Sequence, residues 1–240
     1  MKRGSPRILL VDDDAGVRKV VVRALGAAGY DVSAVPDAAG ARQTLAEGPF
    51  DLAILDVNLP DANGLDLCAE IVAHHDGLPV MMLTVVADES DIVRALEAGA
   101  DDYVRKPFGT RELTARVQAV LRRAQPADSS LAPTMRVGSL SLDSTSYRVQ
   151  IDDEPLSLTP TEYRLLALLA QNAGRVLTHD QLLQVVWGPG YEGEHHMLRV
   201  AMSRLRQKLG RLADTGAAIR TMPGVGYEFV TATNGGGSPD

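Results

Sequence analysis

Residues 7–14 read RILLVDDD, and residues 52–58 read LAILDVN. Each stretch is a short run of Val, Ile and Leu with aspartate near its end: three aspartates in succession in the first stretch, and Asp56 in the second. An apolar run without polar alternation is typical of a parallel strand that helices cover on both faces. The two stretches therefore predict buried parallel strands that carry acidic groups at their carboxyl ends.

The first 124 residues alternate runs of this kind with amphipathic patterns. The predicted strands are 7–11, 31–35, 52–57, 80–85 and 102–105, and the predicted helices are 15–28, 38–47, 64–75, 89–98 and 110–123. Five strand–helix units in succession predict an α/β fold with a five-stranded, doubly wound parallel sheet. Ligands of such sheets bind in the crevice at the carboxyl ends of the strands.

The pattern changes after residue 124. Residues 125–135 contain two prolines and no periodicity, which predicts a linker, and residues 136–233 predict a second domain of mixed α and β structure. Within it we expect strands over 136–142 and 147–158, helices near 160–172, 179–187 and 194–210, and a hairpin over 218–230. The glycine-rich segment 234–240 is expected to be a disordered tail.

Composition and charge limit the class of protein. The one cysteine, Cys68, excludes an intramolecular disulfide, and no apolar run is long enough for a signal peptide or a membrane span, so we expect a cytoplasmic protein without a membrane partner. The net charge is −7, yet residues 195–220 contain six basic residues and one acidic residue. A basic patch of this kind is what binding to a phosphate backbone requires, whatever the total charge.

A carboxylate cluster is predicted at the ends of the first and third strands. If these strands are neighbours, Asp12, Asp13 and Asp56 converge in one crevice, where mutual repulsion calls for a cation. Mg²⁺ suits such a site because it prefers one or two carboxylates together with carbonyl and water oxygens. Asp56 is then a candidate nucleophile towards a phosphoryl group.

Two further polar residues end predicted strands of the same sheet. Thr84 follows the fourth apolar run, where its hydroxyl could donate a hydrogen bond to a phosphoryl oxygen. Lys106 follows the fifth strand and precedes Pro107, and we expect a cis peptide bond that turns the ammonium group into the crevice. Asp14, by contrast, is expected only to cap the first helix.

The segments ILLVDDD, LAILDVNLPDANG, MMLT and GADDYVRKPFG resemble the receiver domain of two-component response regulators over residues 5–124. The resemblance implies a flavodoxin-like fold in which Asp56 accepts a phosphoryl group from a histidine kinase. It implies no other enzymatic activity than self-phosphorylation and slow autodephosphorylation at Asp56. By the same resemblance, Mg²⁺ would be bound by Asp13, Asp56, the Asn58 carbonyl and, through water, Asp12. Lys106 would pair with the oxygens of the phosphoryl group. Thr84 and Tyr103 would form a conformational switch.

A haloacid-dehalogenase-like phosphatase is the rival enzyme class, because it also uses an aspartate nucleophile and Mg²⁺. That chemistry needs a second acid two residues after the nucleophile to protonate the leaving group. Position 58 is asparagine, which cannot act as this acid. The sequence therefore disfavours the phosphatase.

The predicted helix 194–210 has the pattern of a DNA-recognition helix. Leu198, Met202, Leu205 and Leu209 form an apolar stripe that should face the core. We expect the opposite face to present His196, Val200, Ser203, Arg204 and Gln207, with Arg199, Arg206 and Lys208 on its flanks. Arg204 would then reach base edges in the major groove, and the flanking bases would bind phosphates.

Residues 136–230 resemble the winged helix-turn-helix effector domain of the OmpR/PhoB family. The resemblance lies in the segment LTPTEYRLLALLAQNAGRVLTHDQLLQVVW, the basic helix that follows it, and the segment IRTMPGVGYEFV after that helix. The resemblance implies that the recognition helix binds double-stranded DNA and that the hairpin 219–230, with Arg220, is the wing. Pro223 and Glu228 stand where relatives often have basic residues, so fewer wing phosphate contacts are expected. The segment VWGPGYEGEHHMLRVAMSRLRQKL is most similar to the KdpE-like subgroup, which regulates potassium-transport operons.

The resemblance further implies a homodimer that forms on phosphorylation and binds direct-repeat half-sites, and it allows RNA polymerase as a further partner. The implied dimer face carries charges that could pair across a two-fold axis, namely Arg94, Asp101, Asp102, Glu112, Arg116 and Arg123. Ile92 replaces a basic residue common in the family, so Glu112 is expected to lack its usual partner.

Two alternatives stay open at this point. In the first, the chain is a constitutive DNA-binding protein whose receiver serves only for dimerisation, although a scaffold would not need the acidic set, Thr84 or Lys106. In the second, the receiver acts on a protein target, as in chemotaxis, but this leaves residues 136–230 without a role.

Overall fold

The computed structural model describes residues 4–75, 77–85, 89–124, 134–144, 146, 148–210 and 218–231. The chain divides into two compact units, Met1–Ala124 and Gln125–Asp240. Most of the predicted linker and the predicted tail lie outside the described residues. None of the described helices has the length and hydropathy that a membrane-spanning segment requires.

In the part of the first unit that the structure describes, five strands and five helices alternate along the chain. The strands are β1 (Arg7–Val11), β2 (Asp31–Val35), β3 (Leu52–Asp56), β4 (Val80–Thr84) and β5 (Asp102–Arg105). The helices are α1 (Ala15–Ala27), α2 (Ala38–Ala46), α3 (Gly64–His74), α4 (Glu89–Glu97) and α5 (Thr110–Ala124). All strand pairs are parallel in the order β2-β1-β3-β4-β5, which confirms the predicted doubly wound sheet.

Burial explains why these stretches form strands. Every residue of β3 and β4 is buried, as are the last four of β1, because helices cover both faces of the sheet. Short polar side chains cap the helices that follow: Asp14 accepts hydrogen bonds from Gly16 N and Val17 N at the start of α1, as predicted. Polar residues therefore lie at the carboxyl ends of three of these strands: Asp12 follows β1, Asp56 ends β3 and Thr84 ends β4.

The register aligns the carboxyl ends of the central strands. Val11 pairs with Leu55, Asp56 with Leu83, and Thr84 with Arg105. Asp12 follows Val11 directly and its N–H donates to Val35 O at 3.2 Å. The polar residues at these strand ends therefore lie along one edge of the sheet.

The loop between β3 and α3 is tied to its surroundings by backbone contacts. Asn58 and Asn63 form an isolated antiparallel bridge, and Gly64 N donates to Val57 O at 2.8 Å. Gly64 packs so closely on the Asp56 carbonyl that a Cβ atom there would overlap this oxygen. Glycine is thus required at position 64 to leave the backbone of Asp56 in place.

The described residues of the second unit form two small antiparallel sheets and three helices. One sheet has the order β6-β7-β8-β9, from β6 (Thr134–Val137), β7 (Leu140–Asp143), β8 (Arg148–Ile151) and β9 (Glu154–Leu156). The other has the order β10-β12-β11, from β10 (Val176–Thr178), β11 (Ala218–Met222) and β12 (Gly226–Val230). The helices are α6 (Pro160–Gln171), α7 (His179–Val186) and α8 (His195–Lys208).

The strands of this unit differ in part from the predicted ones. The stretch 136–142 contains parts of two short strands, because a turn at Gly138 breaks it, whereas β8 and β9 lie within the predicted stretch 147–158 on either side of the turn at Asp152–Asp153. The start of β6 at Thr134 means that the predicted linker 125–135 overlaps this strand. β10 was not predicted, since three residues outside any alternating pattern give no signal of their own.

A Gly64→Ala substitution should destabilise the first unit by about 2–3 kcal/mol, because the new methyl group displaces the backbone at Asp56. The matched control is Gly26→Ala in α1, where a Cβ atom has open space and alanine should stabilise the helix by up to about 1 kcal/mol. Urea unfolding of the full chain, followed by circular dichroism, measures both changes. A Gly64→Ala protein as stable as the wild type would contradict the close approach described above.

Candidate phosphoacceptor site and nucleic-acid interface

Asp12, Asp13 and Asp56 meet at the carboxyl ends of β1 and β3. One carboxylate oxygen from each residue lies within 4.8 Å of the others. Asp12 and Asp56 are buried and Asp13 is exposed, so the cluster has an inner wall and one side open to solvent. Thr84 is buried at the end of β4, along the same sheet edge. The structure therefore brings the predicted residues together.

Lys106 supplies the positive charge of the cluster. Its Nζ lies 2.7 Å from Asp12 Oδ2 and 2.7 Å from Asp56 Oδ2. The Lys106–Pro107 peptide bond is cis, as predicted, and Lys106 N donates to Thr84 O at 2.6 Å. The ammonium group thus bridges two carboxylates from two different strands.

Burial and charge act in opposite directions on this cluster. Desolvation by burial raises the pKa of Asp12, and the hydrogen bond from Lys106 only partly offsets this effect. Burial alone would lower the pKa of Lys106, but its hydrogen bonds to Asp12 and Asp56 outweigh burial and raise it. Backbone hydrogen bonds from Val17 and Gly16 lower the pKa of Asp14, which agrees with its role as a cap.

The charges and ligand types at the cluster fit Mg²⁺. Three carboxylates face a single ammonium group, so the cluster has an excess of negative charge that a divalent cation would neutralise. All donors are oxygen atoms, and the exposed side at Asp13 leaves access for the water ligands that Mg²⁺ retains. The participation of the Asn58 carbonyl stays a prediction; the Asn58 N–H lies 3.4 Å from Asp56 Oδ1.

Tyr103, the predicted partner of Thr84, is buried in β5. The guanidinium carbons of Arg105 and Arg116 lie 5.9 Å and 5.8 Å from its ring centroid. Tyr103 N also donates to Asp102 Oδ1 at 2.8 Å. The ring therefore contacts basic side chains from β5 and α5, and its role in a switch stays a prediction.

In the second unit, the predicted apolar stripe of α8 is confirmed but its exposed face was partly wrong. Leu198, Met202, Leu205 and Leu209 are all buried. Met197 and Ala201 are buried as well, which widens the buried stripe and rotates the exposed face. The residues of α8 that lie exposed at helical spacing are Arg199, Ser203 and Gln207, whereas Val200 is buried.

Arg204 and Lys208 point to the protein and not to the centre of the exposed face. Arg204 Nη2 lies 3.0 Å from Glu162 Oε1, and Lys208 Nζ lies 2.7 Å from Glu162 Oε2. Glu162 is buried in the first turn of α6. That Arg204 reaches base edges stays a prediction; in this structure the packing of α8 against α6 brings its side chain to the Glu162 carboxylate.

The remaining predicted bases contact the wing hairpin. The Arg206 guanidinium donates to Ile219 O at 2.8 Å and to Thr221 Oγ1 at 2.7 Å. Arg220 lies on β11 with its Nη1 3.7 Å from Glu228 Oε2, and its side chain is 60% exposed. The basic patch is thus partly neutralised by acids within the unit.

Sequence reasoning missed Glu162. The signal was present, because Thr159 and Glu162 form the Thr-x-x-Glu pattern of a capping box, and the structure contains both of its hydrogen bonds. That pattern predicts the helix start but gives no information about which bases another helix brings to the carboxylate.

Comparisons with known proteins agree with this architecture. Residues 8–118 match the family model described as response regulator receiver domain, and residues 153–229 match the model described as transcriptional regulatory protein, C terminal. The chain is 40% identical over 226 residues to the phosphate regulon transcriptional regulatory protein PhoB of Pseudomonas aeruginosa, covering 93% of this chain and 97% of that protein. The chain belongs to the OmpR/PhoB family of response regulators.

Other relatives support the same membership. The DNA-binding response regulator MtrA of Mycobacterium tuberculosis is 37% identical over 92% of this chain and 96% of its own length. The transcriptional regulatory protein KdpE of the same organism is 38% identical over 92% of this chain and 98% of its own length. Because these identities are similar, they do not single out the KdpE-like subgroup. Among solved structures, a C128D mutant of RitR is similar with a TM-score of 0.74 and 29% identity, covering 94% of this chain and 99% of that chain.

This response regulator pairs most of its predicted dimer-face charges within the chain. Arg123 Nη2 lies 2.9 Å and Arg116 Nη1 3.2 Å from the Asp102 carboxylate, and Asp101, Asp102 and Arg123 are buried. Glu112 lies 3.4 Å from Arg116 on the same helix; the absence of its usual partner, since position 92 is Ile, stays a prediction. Arg94 and Glu112 are exposed. The predicted dimer face stays a prediction, and within the single chain Asp102 already binds Arg116 and Arg123.

A Lys106→Met substitution should tighten Mg²⁺ binding by about tenfold, because it removes the one ammonium group that neutralises Asp12 and Asp56. Isothermal titration of the full chain with MgCl₂ measures the dissociation constant. Lys19→Met, an exposed substitution on α1, is the control for a change in net charge. Unchanged or weaker Mg²⁺ binding by the Lys106→Met protein would show that the three aspartates do not form the metal site.

Proposed function

We propose that Asp56 of this response regulator is phosphorylated by a histidine kinase in an Mg²⁺-dependent reaction, and that phosphorylation promotes dimerisation and sequence-specific DNA binding to regulate transcription. The observation that carries the proposal is the convergence of Asp12, Asp13, Asp56 and Lys106 at one edge of the sheet. A domain used only as a scaffold does not require three converging carboxylates with a bridging ammonium group.

The site residues have complementary roles in phosphoryl transfer. A carboxylate oxygen of Asp56 attacks the phosphorus of a phosphohistidine, the P–N bond breaks, and the imidazole leaves with the electron pair of that bond. Bound Mg²⁺ supplies positive charge that neutralises the phosphoryl oxygens and the surrounding carboxylates. After transfer, the Lys106 ammonium group gives up its contact with the Asp56 carboxylate and pairs with the phosphoryl group instead. The hydroxyl of Thr84, at the end of β4, donates a hydrogen bond to a phosphoryl oxygen.

No other catalytic activity belongs to this proposal. Self-phosphorylation and slow autodephosphorylation at Asp56 are the reactions of the receiver, and they take place in the cytoplasm, where kinase and DNA are both accessible. Since Asp56 is buried and the cluster opens to solvent at Asp13, the phosphoryl donor approaches from that side.

DNA binding is proposed for the exposed stripe of α8 and for the wing. Arg199, Ser203 and Gln207 are exposed at a spacing of four residues and would meet base edges in the major groove. Arg206 fixes the wing to α8 through Ile219 O and Thr221 Oγ1 and so orients Arg220 towards phosphates. Two such units in a phosphorylated dimer would bind direct-repeat half-sites with increased avidity, near a promoter where RNA polymerase is a further partner.

Phosphoryl incorporation by Asp56→Asn protein should be abolished, because the amide cannot act as the nucleophile. The measurement is the mass increase of the full chain with acetyl phosphate and MgCl₂, together with its oligomeric state by size-exclusion chromatography. Asp31→Asn is the matched control and should react as the wild type does. Asp31 is exposed and begins β2, at the edge of the sheet opposite to the acidic cluster. Incorporation at the wild-type level by the Asp56→Asn protein would refute the assignment of the phosphoacceptor.

Arg199→Ala should weaken DNA binding by about 1–3 kcal/mol and relax the preference at one base pair. The DNA is the duplex that the wild type enriches from a random-sequence pool. Arg148→Ala, an exposed arginine on β8 in the other sheet, is the control and should bind as the wild type does. Fluorescence anisotropy of the labelled duplex gives both affinities. Equal affinity of the Arg199→Ala and wild-type proteins would exclude Arg199 from the contact surface.

A further inference from the structure

Two hydrogen bonds and one further ion pair meet at the Glu162 carboxylate. Its Oε2 accepts from Thr159 N at 2.9 Å and from Lys208 Nζ at 2.7 Å, and its Oε1 lies 3.0 Å from Arg204 Nη2. The Glu162 side chain is 1% exposed, whereas those of Arg204 and Lys208 are 15% and 31% exposed. One buried acid of α6 is therefore shared by two bases of the recognition helix α8.

A second capping box in the same chain shows whether the start of α6 needs the negative charge of Glu162. The helix α7 begins with the same capping box, in which Thr178 N donates to Gln181 Oε1 at 2.9 Å and Gln181 N donates to Thr178 Oγ1 at 3.2 Å. There the residue at the third position is a neutral glutamine. Because an amide oxygen completes this capping box, the negative charge of Glu162 is not needed for the start of α6.

The charge matters instead for Arg204 and Lys208. These residues are four positions apart on one flank of α8, next to the exposed stripe that contains Arg199 as its basic residue. Each cation that reaches a DNA phosphate releases counterions and adds affinity that does not depend on sequence. Two mobile bases beside the recognition surface would therefore strengthen binding to any duplex.

We propose that Glu162 is a specificity-determining positioning residue, which holds Arg204 and Lys208 away from the phosphate backbone so that DNA affinity depends on the bases that the exposed stripe reads. The proposal rests on the DNA-binding function proposed above. Glu162 itself does not touch DNA; it acts through the two side chains that it binds.

The salt dependence of DNA binding tests this role. Glu162→Gln keeps the capping oxygen, as Gln181 does in α7, but removes the negative charge that binds Arg204 and Lys208, whose side chains are partly exposed. The slope of log K against log salt should then steepen by up to about 1.8, which is two contacts at roughly 0.9 each. Affinity for a scrambled duplex should rise, and the ratio of specific to scrambled affinity should fall by about tenfold at low salt.

The experiment uses the full chain, the duplex that the wild type enriches from a random-sequence pool, and a scrambled version of that duplex. Asp153→Asn in the β8–β9 turn is the control, because it removes one exposed negative charge from the same unit. It should leave both the slope and the specificity ratio unchanged. A change in stability alone, without a change in slope, would contradict the proposal and leave Glu162 with a structural role only.

The double substitution Arg204→Met with Lys208→Met provides a second test that does not require the Glu162→Gln protein to fold. If the two bases are held away from DNA, this protein should retain the wild-type slope, and the triple variant with Glu162→Gln should retain it as well. A slope shallower by one or two units in the double variant would show that the bases already contact phosphates, which overturns the inference. Failure of the wild type to enrich any duplex would refute the DNA-binding function itself.

Discussion

The ammonium group of Lys106 lies 2.7 Å from carboxylate oxygens of both Asp12 and Asp56, and the three residues follow or end three different strands. This contact depends on the parallel register of the sheet, which brings the carboxyl ends of β1, β3, β4 and β5 to one edge. Without the ammonium group, like charges in a partly buried crevice would repel each other and destabilise the fold. The same excess of negative charge makes this edge of the sheet a suitable place for a divalent cation with oxygen ligands.

Much of this arrangement could be predicted because parallel strands leave a strong signal. Uninterrupted apolar runs locate the buried strands, and the topology of alternating strands and helices makes their carboxyl ends adjacent. Asp12, Asp56, Thr84 and Lys106 could thus be assigned to one crevice from their positions alone, and the structure places them there. The capping role of Asp14 followed from its place one residue before a helix.

The errors came from contacts between elements that are distant in sequence. The exposed face of α8 was predicted in the wrong place because a helical wheel does not show how much of the helix surface the core covers. Met197 and Ala201 are also buried, so the buried stripe is wider than predicted. The pairing of Arg204 with Glu162, and of Arg123 with Asp102, depends on which helix or strand packs beside each base. Counting charges along the chain therefore does not show which bases already bind an acid of their own unit. Each of these side chains is polar in the sequence but is bound to another part of its own unit.

The order of strands in the sheet β10-β12-β11 has a consequence for how the second unit is made. β12 is the central strand, yet it follows both of its neighbours in the chain, and β10 precedes it by about fifty residues. Both ladders of backbone hydrogen bonds must wait for the same five residues, so the sheet cannot grow strand by strand as the polypeptide emerges from the ribosome. A chain interrupted before Gly226 would lose the whole sheet and not merely one edge. A nascent or truncated chain that ends before Gly226 therefore lacks both ladders of this sheet and the complete hairpin of β11 and β12.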